Sequence, residues 1–150
     1  MASHRPASLL ASAFAAFVVL AATGCDEPED RPTGEPPEFR EVAAIFEASG
    51  CATGGCHDAT AAQGELSMEG SDAWAQLIDV ECADAEADEA GFLRVKPGDS
   101  DASFLMTKLT LDRVDAALGL PMPPSGERLT DDELDLVRRW IEAGAEPPVD

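Results

Sequence analysis

A chain of 150 residues with 10 Lys and Arg against 30 Asp and Glu carries a formal charge of -20. That length is one domain's worth and disfavours a two-lobed enzyme with a cleft between lobes. The negative excess repels phosphate backbones and anionic lipid surfaces, which argues against nucleic acid and electrostatic membrane docking and points to partners with basic faces.

The N-terminus reads as an export signal. Met1 to Pro6 is short and carries Arg5, and Leu9 to Ala22 is apolar except for Ser12. At about fourteen residues this stretch is shorter than the roughly 20 a bilayer span needs. It runs into Ala22-Thr23-Gly24-Cys25, which resembles a bacterial lipobox with Ala22 in the place usually held by Leu. In that reading residues 1–24 are a lipoprotein signal peptide, and Cys25 is lipidated and becomes the new N-terminus. The alternative is ordinary secretion that leaves Cys25 as a thiol, and either way the chain is exported. Losing residues 1–24 removes Arg5 and no acid, so 9 bases face 30 acids and the charge becomes -21. It also removes His4, so His57 is the single histidine of the mature chain and multi-histidine metal sites are excluded.

Residues 25–38 are acidic and Pro-rich and read as a tether. About a dozen extended residues at roughly 3.1 Å each would hold the domain a few tens of Å from a membrane. The folded domain is expected over 39–146, with 147–150 as a tail. Phe39, Val42, Ala43 and Phe46 recur at helical spacing before Gly50, predicting a first helix over about 38–49. Asp72 is expected to cap a short helix containing Trp74, Leu77 and Ile78. From Asp79 to Glu89 six acids surround Cys82, a pattern that predicts a solvated loop. Ser100 or Asp101 is the expected cap of a third helix bearing Phe104, Leu105 and Leu109, with a continuation through Val114 and Leu118. Pro121, Pro123 and Pro124 then interrupt. Thr130-Asp131-Asp132-Glu133 is a capping box that opens a final helix with Leu134, Val137, Trp140 and Ile141 on one face. Arg138 and Arg139 complement its C-terminal dipole, and Gly144 stops it. Phe92 to Val95 is the one short strand candidate, so the class is mainly α.

The chemistry lies in Cys51-Ala-Thr-Gly-Gly-Cys56-His57, directly after the first helix. A Cys-His pair behind a second nearby cysteine is the layout of covalent c-type haem attachment. Two thiols must reach two vinyl groups on one porphyrin edge while the adjacent imidazole approaches the iron. The usual spacing has two residues between the cysteines and here there are four; Gly54-Gly55 offers a way to loop out the surplus. Three other readings stay open: a small disulfide loop between Cys51 and Cys56, a zinc site built from Cys51, Cys56, His57 and Cys82, and unpaired structural thiols, the least expected outside the cytoplasm. For a haem, the second axial ligand would be a methionine. Met106 lies among helical apolar residues as core filling, and Met68 is only eleven positions past His57 and would have to fold back sharply. Met122, bracketed by Pro121 and Pro123-Pro124, is the preferred ligand.

In order, Cys56-His57, Gly64-Glu65-Leu66, Pro97 to Ser103, Met122-Pro123-Pro124, Leu129-Thr130 and Trp140 to Ala145 resemble the small cytochrome c-like domains often called planctomycete-type cytochrome c. The resemblance spans roughly Phe39 to Ala145. It implies an all-α, cytochrome c-like domain with covalent haem c on Cys51 and Cys56 and axial ligands His57 and Met122. It also implies that the first and last helices cross, with Phe46 and Trp140 as large residues for that contact. The four-residue cysteine spacing and the unassigned Cys82 depart from the pattern. The expected function is one-electron transfer by an exported, membrane-anchored monohaem cytochrome that is not an enzyme and docks a redox partner with a basic face. The alternative is a haemless, disulfide-stapled surface lipoprotein of the same fold. A peroxidase would need an open distal site and a second acid or base. An adjacent Cys-His hydrolase is weaker still, because neighbouring residues do not readily bring thiol and imidazole into hydrogen-bond reach.

Overall fold

Each helix begins where the local sequence supplies a start signal, but their sizes are set by what they bury. The structure is a computed structural model that describes residues 34–70, 72–124 and 127–149. The expected signal peptide, the lipidation site Cys25 and most of the tether lie outside the described residues. Among the described residues there are five α-helices: α1 (Phe39–Ala48), α2 (Ala73–Leu77), α3 (Ala85–Glu89), α4 (Phe104–Thr110) and α5 (Asp131–Glu142), with a single 3-10 turn at Gln63–Glu65. No β-strand forms among them. Phe92 to Val95, the strand candidate, contributes only isolated bridges, with Leu93 facing Glu81 and Ser103 and with Val95 facing Ile78. None of the helices is long and apolar enough to cross a membrane.

α1 buries Phe39, Val42, Ile45 and Phe46, the stripe that recurs every three to four residues. Its start is fixed by the Glu41 carboxylate, which accepts the Glu38 backbone N–H at 2.8 Å. Pro37 is already buried, so the ordered domain starts slightly before the predicted tether ends. α5 turns Val137, Trp140 and Ile141 inward, each fully buried, and packs on both α1 and α4. The first and last helices therefore meet. Phe39 makes the aromatic contact there, with its ring centroid 5.4 Å from that of Trp140. Phe46, the residue expected in that role, is buried one turn from the C-terminal end of α1.

The segment between α3 and α4 is tied to the end of α5 by backbone. Gly98 N–H donates to Ile141 O at 2.7 Å, and Ser100 N–H donates to Glu142 Oε1 at 2.9 Å. Ser103, buried completely, donates its hydroxyl to Asp99 O at 2.8 Å and accepts the Lys96 N–H at 2.9 Å. Ser103 is the N-cap residue of α4, which corrects the expectation of Ser100 or Asp101. The predicted continuation through Val114 and Leu118 does not form either, because Leu111 turns to extended backbone. Beyond it Asp115 and Gly119 exchange backbone hydrogen bonds of 2.9 Å, while Asp115 Oδ1 accepts the N–H groups of Ala117 and Leu118. A side chain that captures its own following N–H groups competes directly with helix.

Two further expectations change. Asp72 is the N-cap residue of α2, but its side chain makes no capping bond. The acidic stretch from Asp79 to Glu89 is not simply a solvated loop: Asp84 Oδ1 accepts the Ala87 N–H at 3.0 Å and opens α3, which buries Ala87 while Cys82 just before it is 8% exposed. The α5 capping box forms as predicted, with Thr130 Oγ1 accepting the Glu133 N–H at 3.3 Å and Glu133 Oε2 accepting the Thr130 N–H at 2.8 Å. Thr130→Ala is expected to cost about 1 kcal/mol in denaturant unfolding; an unchanged midpoint would show that the box carries no stability.

The same box has a pH signature. The Thr130 backbone N–H and then its hydroxyl hold the Glu133 carboxyl below its usual range. A carboxylate with a lowered folded pKa stabilises fully above its unfolded value, about 4.3 for Glu, and loses that contribution as pH falls through the lower folded value. The stability gap between wild type and Glu133→Gln is therefore expected to be open above about pH 5 and to shrink steadily as pH falls below the unfolded value. A gap of constant size across that window would contradict the linkage.

Candidate functional site

Between the end of α1, α4 and the proline loop lies a cavity of about 460 Å³, within the roughly 300–1,000 Å³ range of small-molecule and cofactor sites. Its walls are mostly apolar, with Phe46, Leu66, Phe104, Leu105 and Leu109 among them. Cys51, Cys56, His57 and Met122 all line it, so the four residues singled out by spacing meet in one place.

The cysteine loop is built outward from α1. Cys51 N–H donates to Phe46 O at 2.9 Å, extending the helix's last turn, and His57 N–H returns to Cys51 O at 3.0 Å, closing the loop. Between them Gly54 and Gly55 take φ of 67° and 79°, the left-handed region that only glycine enters freely. The two surplus residues between the cysteines are accommodated in this way. Asp58 knots the loop: its Oδ2 accepts the Gly55 N–H at 2.9 Å and its Oδ1 accepts those of Thr60 and Ala61 at 2.8 Å each. Those backbone donors, Ala61 foremost, hold the Asp58 carboxyl below its usual range.

His57 is oriented by main chain. Its Nδ1 lies 3.3 Å from Leu66 O, and a carbonyl has no proton to give, so Nδ1 carries the hydrogen. That tautomer leaves the Nε2 lone pair free, the arrangement in which a histidine binds a metal. Met122 comes from a separate segment fixed by its N–H donating to Lys108 O at 2.8 Å. Met68 also lines the cavity, because the chain does fold back sharply: Met68 N–H donates to His57 O at 2.7 Å, and the residue is 8% exposed within the core. Met106 is core filling, as expected.

Cys51, Cys56 and Cys82 are free thiols. Burial pushes the Cys51 thiol above its ordinary value, against the opposing pull of a backbone hydrogen bond. Among the described residues no three His, Cys, Asp or Glu side chains are grouped to hold a metal ion, so the four-ligand zinc reading gains no support. Cys82 nevertheless lines the same cavity and points its Sγ–H to Phe92 O at 3.4 Å. Sequence reasoning left Cys82 without a role, and missed Arg94 and Lys108 at the cavity altogether. The one local signal for Cys82 was Asp84, a capping residue three positions before Ala87, which implies an element that buries something.

The residues fit a haem held by thioethers: two free thiols, an imidazole with its distal nitrogen free and a thioether sulfur share one apolar cavity. Compared with protein-family models, curated proteins and solved structures, the chain matches none.

Proposed function

We propose that this chain is an exported, membrane-anchored monohaem cytochrome c that transfers single electrons and is not an enzyme. The observation that carries the reading is the convergence of Cys51, Cys56, His57 and Met122 on one apolar cavity, with His57 Nδ1 engaged by Leu66 O. The helical fold, with its first and last helices packed together, supports a cytochrome c-like arrangement. Haem c would supply a one-electron couple with iron bound by nitrogen and thioether, a pairing that raises the potential.

The chain's own residues do the rest. Cys51 and Cys56 would hold the haem through thioethers, and His57 and Met122 would supply a nitrogen and a sulfur to its iron. Ligation by both His57 and Met122 would leave peroxide no open site on the iron, the chemistry of a carrier and not of a peroxidase. Phe46, Leu66 and Leu109 exclude water. The Leu66 carbonyl fixes the imidazole tautomer and so spares any rearrangement of protons around electron transfer. Cys25 would hold the domain to a membrane through its lipid. The charge of -20 favours a redox partner with a basic face, with association that slows as salt screens the attraction.

The test is the intact mass of full-length protein produced with a haem-attachment system, together with a reduced-minus-oxidised spectrum. One haem's increment and sharp reduced bands are expected. No increment, with Cys51 joined to Cys56 or Cys82 in unreduced peptide maps, would establish the haemless stapled lipoprotein instead.

A further inference from the structure

Acids outnumber bases three to one in this chain, yet among the described residues two cations at the cavity have no acidic partner. Arg40, Lys96 and Arg139 each sit within 3.1 Å of a carboxylate, of Glu38, Asp99 and Asp135 respectively. Arg94 and Lys108 line the cavity, and neither takes part in the ion pairs found among the described residues. They are held by neutral carbonyls instead. Arg94 Nη1 donates to Gln76 O at 3.0 Å and Nη2 to Gly64 O and Glu65 O at 3.1 and 3.2 Å. Lys108 Nζ donates to Leu118 O at 2.7 Å and lies 5.5 Å from the Phe104 ring centroid.

Carbonyls and a ring face satisfy donors and orient them without cancelling the net charge. Both side chains are part-buried, where an uncompensated charge is costly. Asp84 also lines the cavity, but its Oδ1 is committed to the Ala87 N–H as the α3 cap. Burial pulls the Lys108 pKa down, and Asp84's charge acts only as a weaker opposing influence. An apolar cavity carrying two oriented, unpaired cations matches an amphiphile with an apolar body and two carboxylates.

We infer that Arg94 and Lys108 receive the two propionate carboxylates of the porphyrin, so that the cavity selects a dicarboxylate macrocycle over its neutral ester. This rests on the haem reading above and adds to it a charge-based selection by residues outside the cysteine motif. A charge-assisted hydrogen bond to each carboxylate would give these two cavity cations the acidic partner they lack among the described residues.

The test uses full-length protein made without the attachment machinery and titrated, by porphyrin fluorescence, with metal-free protoporphyrin IX and with its dimethyl ester. Without iron, His57 and Met122 contribute no ligation, so the acid-ester difference isolates the carboxylates. Wild type is expected to bind the diacid about tenfold or more tighter than the ester, the range of one charge-assisted hydrogen bond. Lys108→Met, which keeps the apolar stem, is expected to weaken the diacid about tenfold and leave the ester unchanged. The ester comparison on wild type stands even if an Arg94 variant fails to fold. Equal binding of diacid and ester, or equal weakening of both by Lys108→Met, overturns the carboxylate assignment while leaving the haem reading intact. Binding of neither porphyrin to wild type overturns the haem reading and this inference with it.

Discussion

Replacing both Cys51 and Cys56 with serine is expected to abolish covalent haem retention, so that the protein runs at the mass of its polypeptide even when made with the attachment machinery. The effect is all or none because each thioether is a covalent bond and serine forms none. Each single variant retains one candidate bond, so its expected product is a smaller yield of singly attached protein. The loop geometry makes the pair informative. Cys51 is anchored to Phe46 O and His57 to Cys51 O, so serine at either position leaves the backbone hydrogen bonds in place. A folded, helical double variant without haem would tie the loss to the sulfurs and not to collapse of the loop. A double variant that still carried a haem's mass after denaturation would sink the thioether assignment. A second arm shortens the loop: deleting Gly54 and Gly55 restores two residues between the cysteines, and if the glycines only loop out the surplus, attachment is expected to persist. Loss of attachment on deletion would mean instead that the left-handed Gly54-Gly55 turn sets where the thiols sit.

Parts of this site and fold were readable locally and parts were not. α5 was legible because its capping box, apolar face and stop are all within its own residues, and α1 for the same reason. The four cavity residues were legible as types, since a Cys-His pair, a second cysteine and a proline-bracketed methionine each carry chemistry without reference to neighbours. The errors fall where a side chain's partner is distant or where polar side chains compete with the helix. Ser103 occupies the α4 N-cap position without a side-chain bond to the helix, because its hydroxyl is bound to Asp99 O and its oxygen to the Lys96 N–H, a small knot that spacing does not reveal. Leu111 to Leu118 looks helical by composition, but Asp115 draws the following N–H groups to itself. Arg94 and Lys108 were invisible as site residues because a cation's meaning depends on which carbonyls and cavities surround it. Cys82 was hidden by its acidic neighbours, whose charges say nothing about the apolar side of α3.

Trp140→Ala is expected to threaten folding itself before any redox property. Trp140 is fully buried and is the largest such side chain in the domain. Its ring packs tilted at 43° against Phe39 from α1, and its Nε1–H donates to Glu146 O at 3.2 Å. Truncating a buried aromatic to alanine costs about 3–5 kcal/mol, because the lost transfer energy is joined by a cavity the surroundings fill only in part. Domains of this size are stable by about 5–15 kcal/mol, so the variant stands near its unfolding threshold at physiological temperature. In thermal unfolding a loss of that size corresponds to a fall of roughly 15–25 °C in Tm. Trp140→Phe keeps most of the apolar volume and leaves only Glu146 O, at an exposed residue, to find water; its expected cost is about 1.5 kcal/mol. The damage should reach the cavity as well, because Phe46, one helix turn from the cysteine loop, lies on the α1 face that α5 supports. Haem attachment is therefore expected to fall in Trp140→Ala in proportion to the unfolded fraction and to recover at low temperature. Were Trp140→Ala to unfold within about 1 kcal/mol of wild type, the α1–α5 contact would not be the keystone of the domain and the resistance to unfolding would have to reside in the packing of α4 on α5.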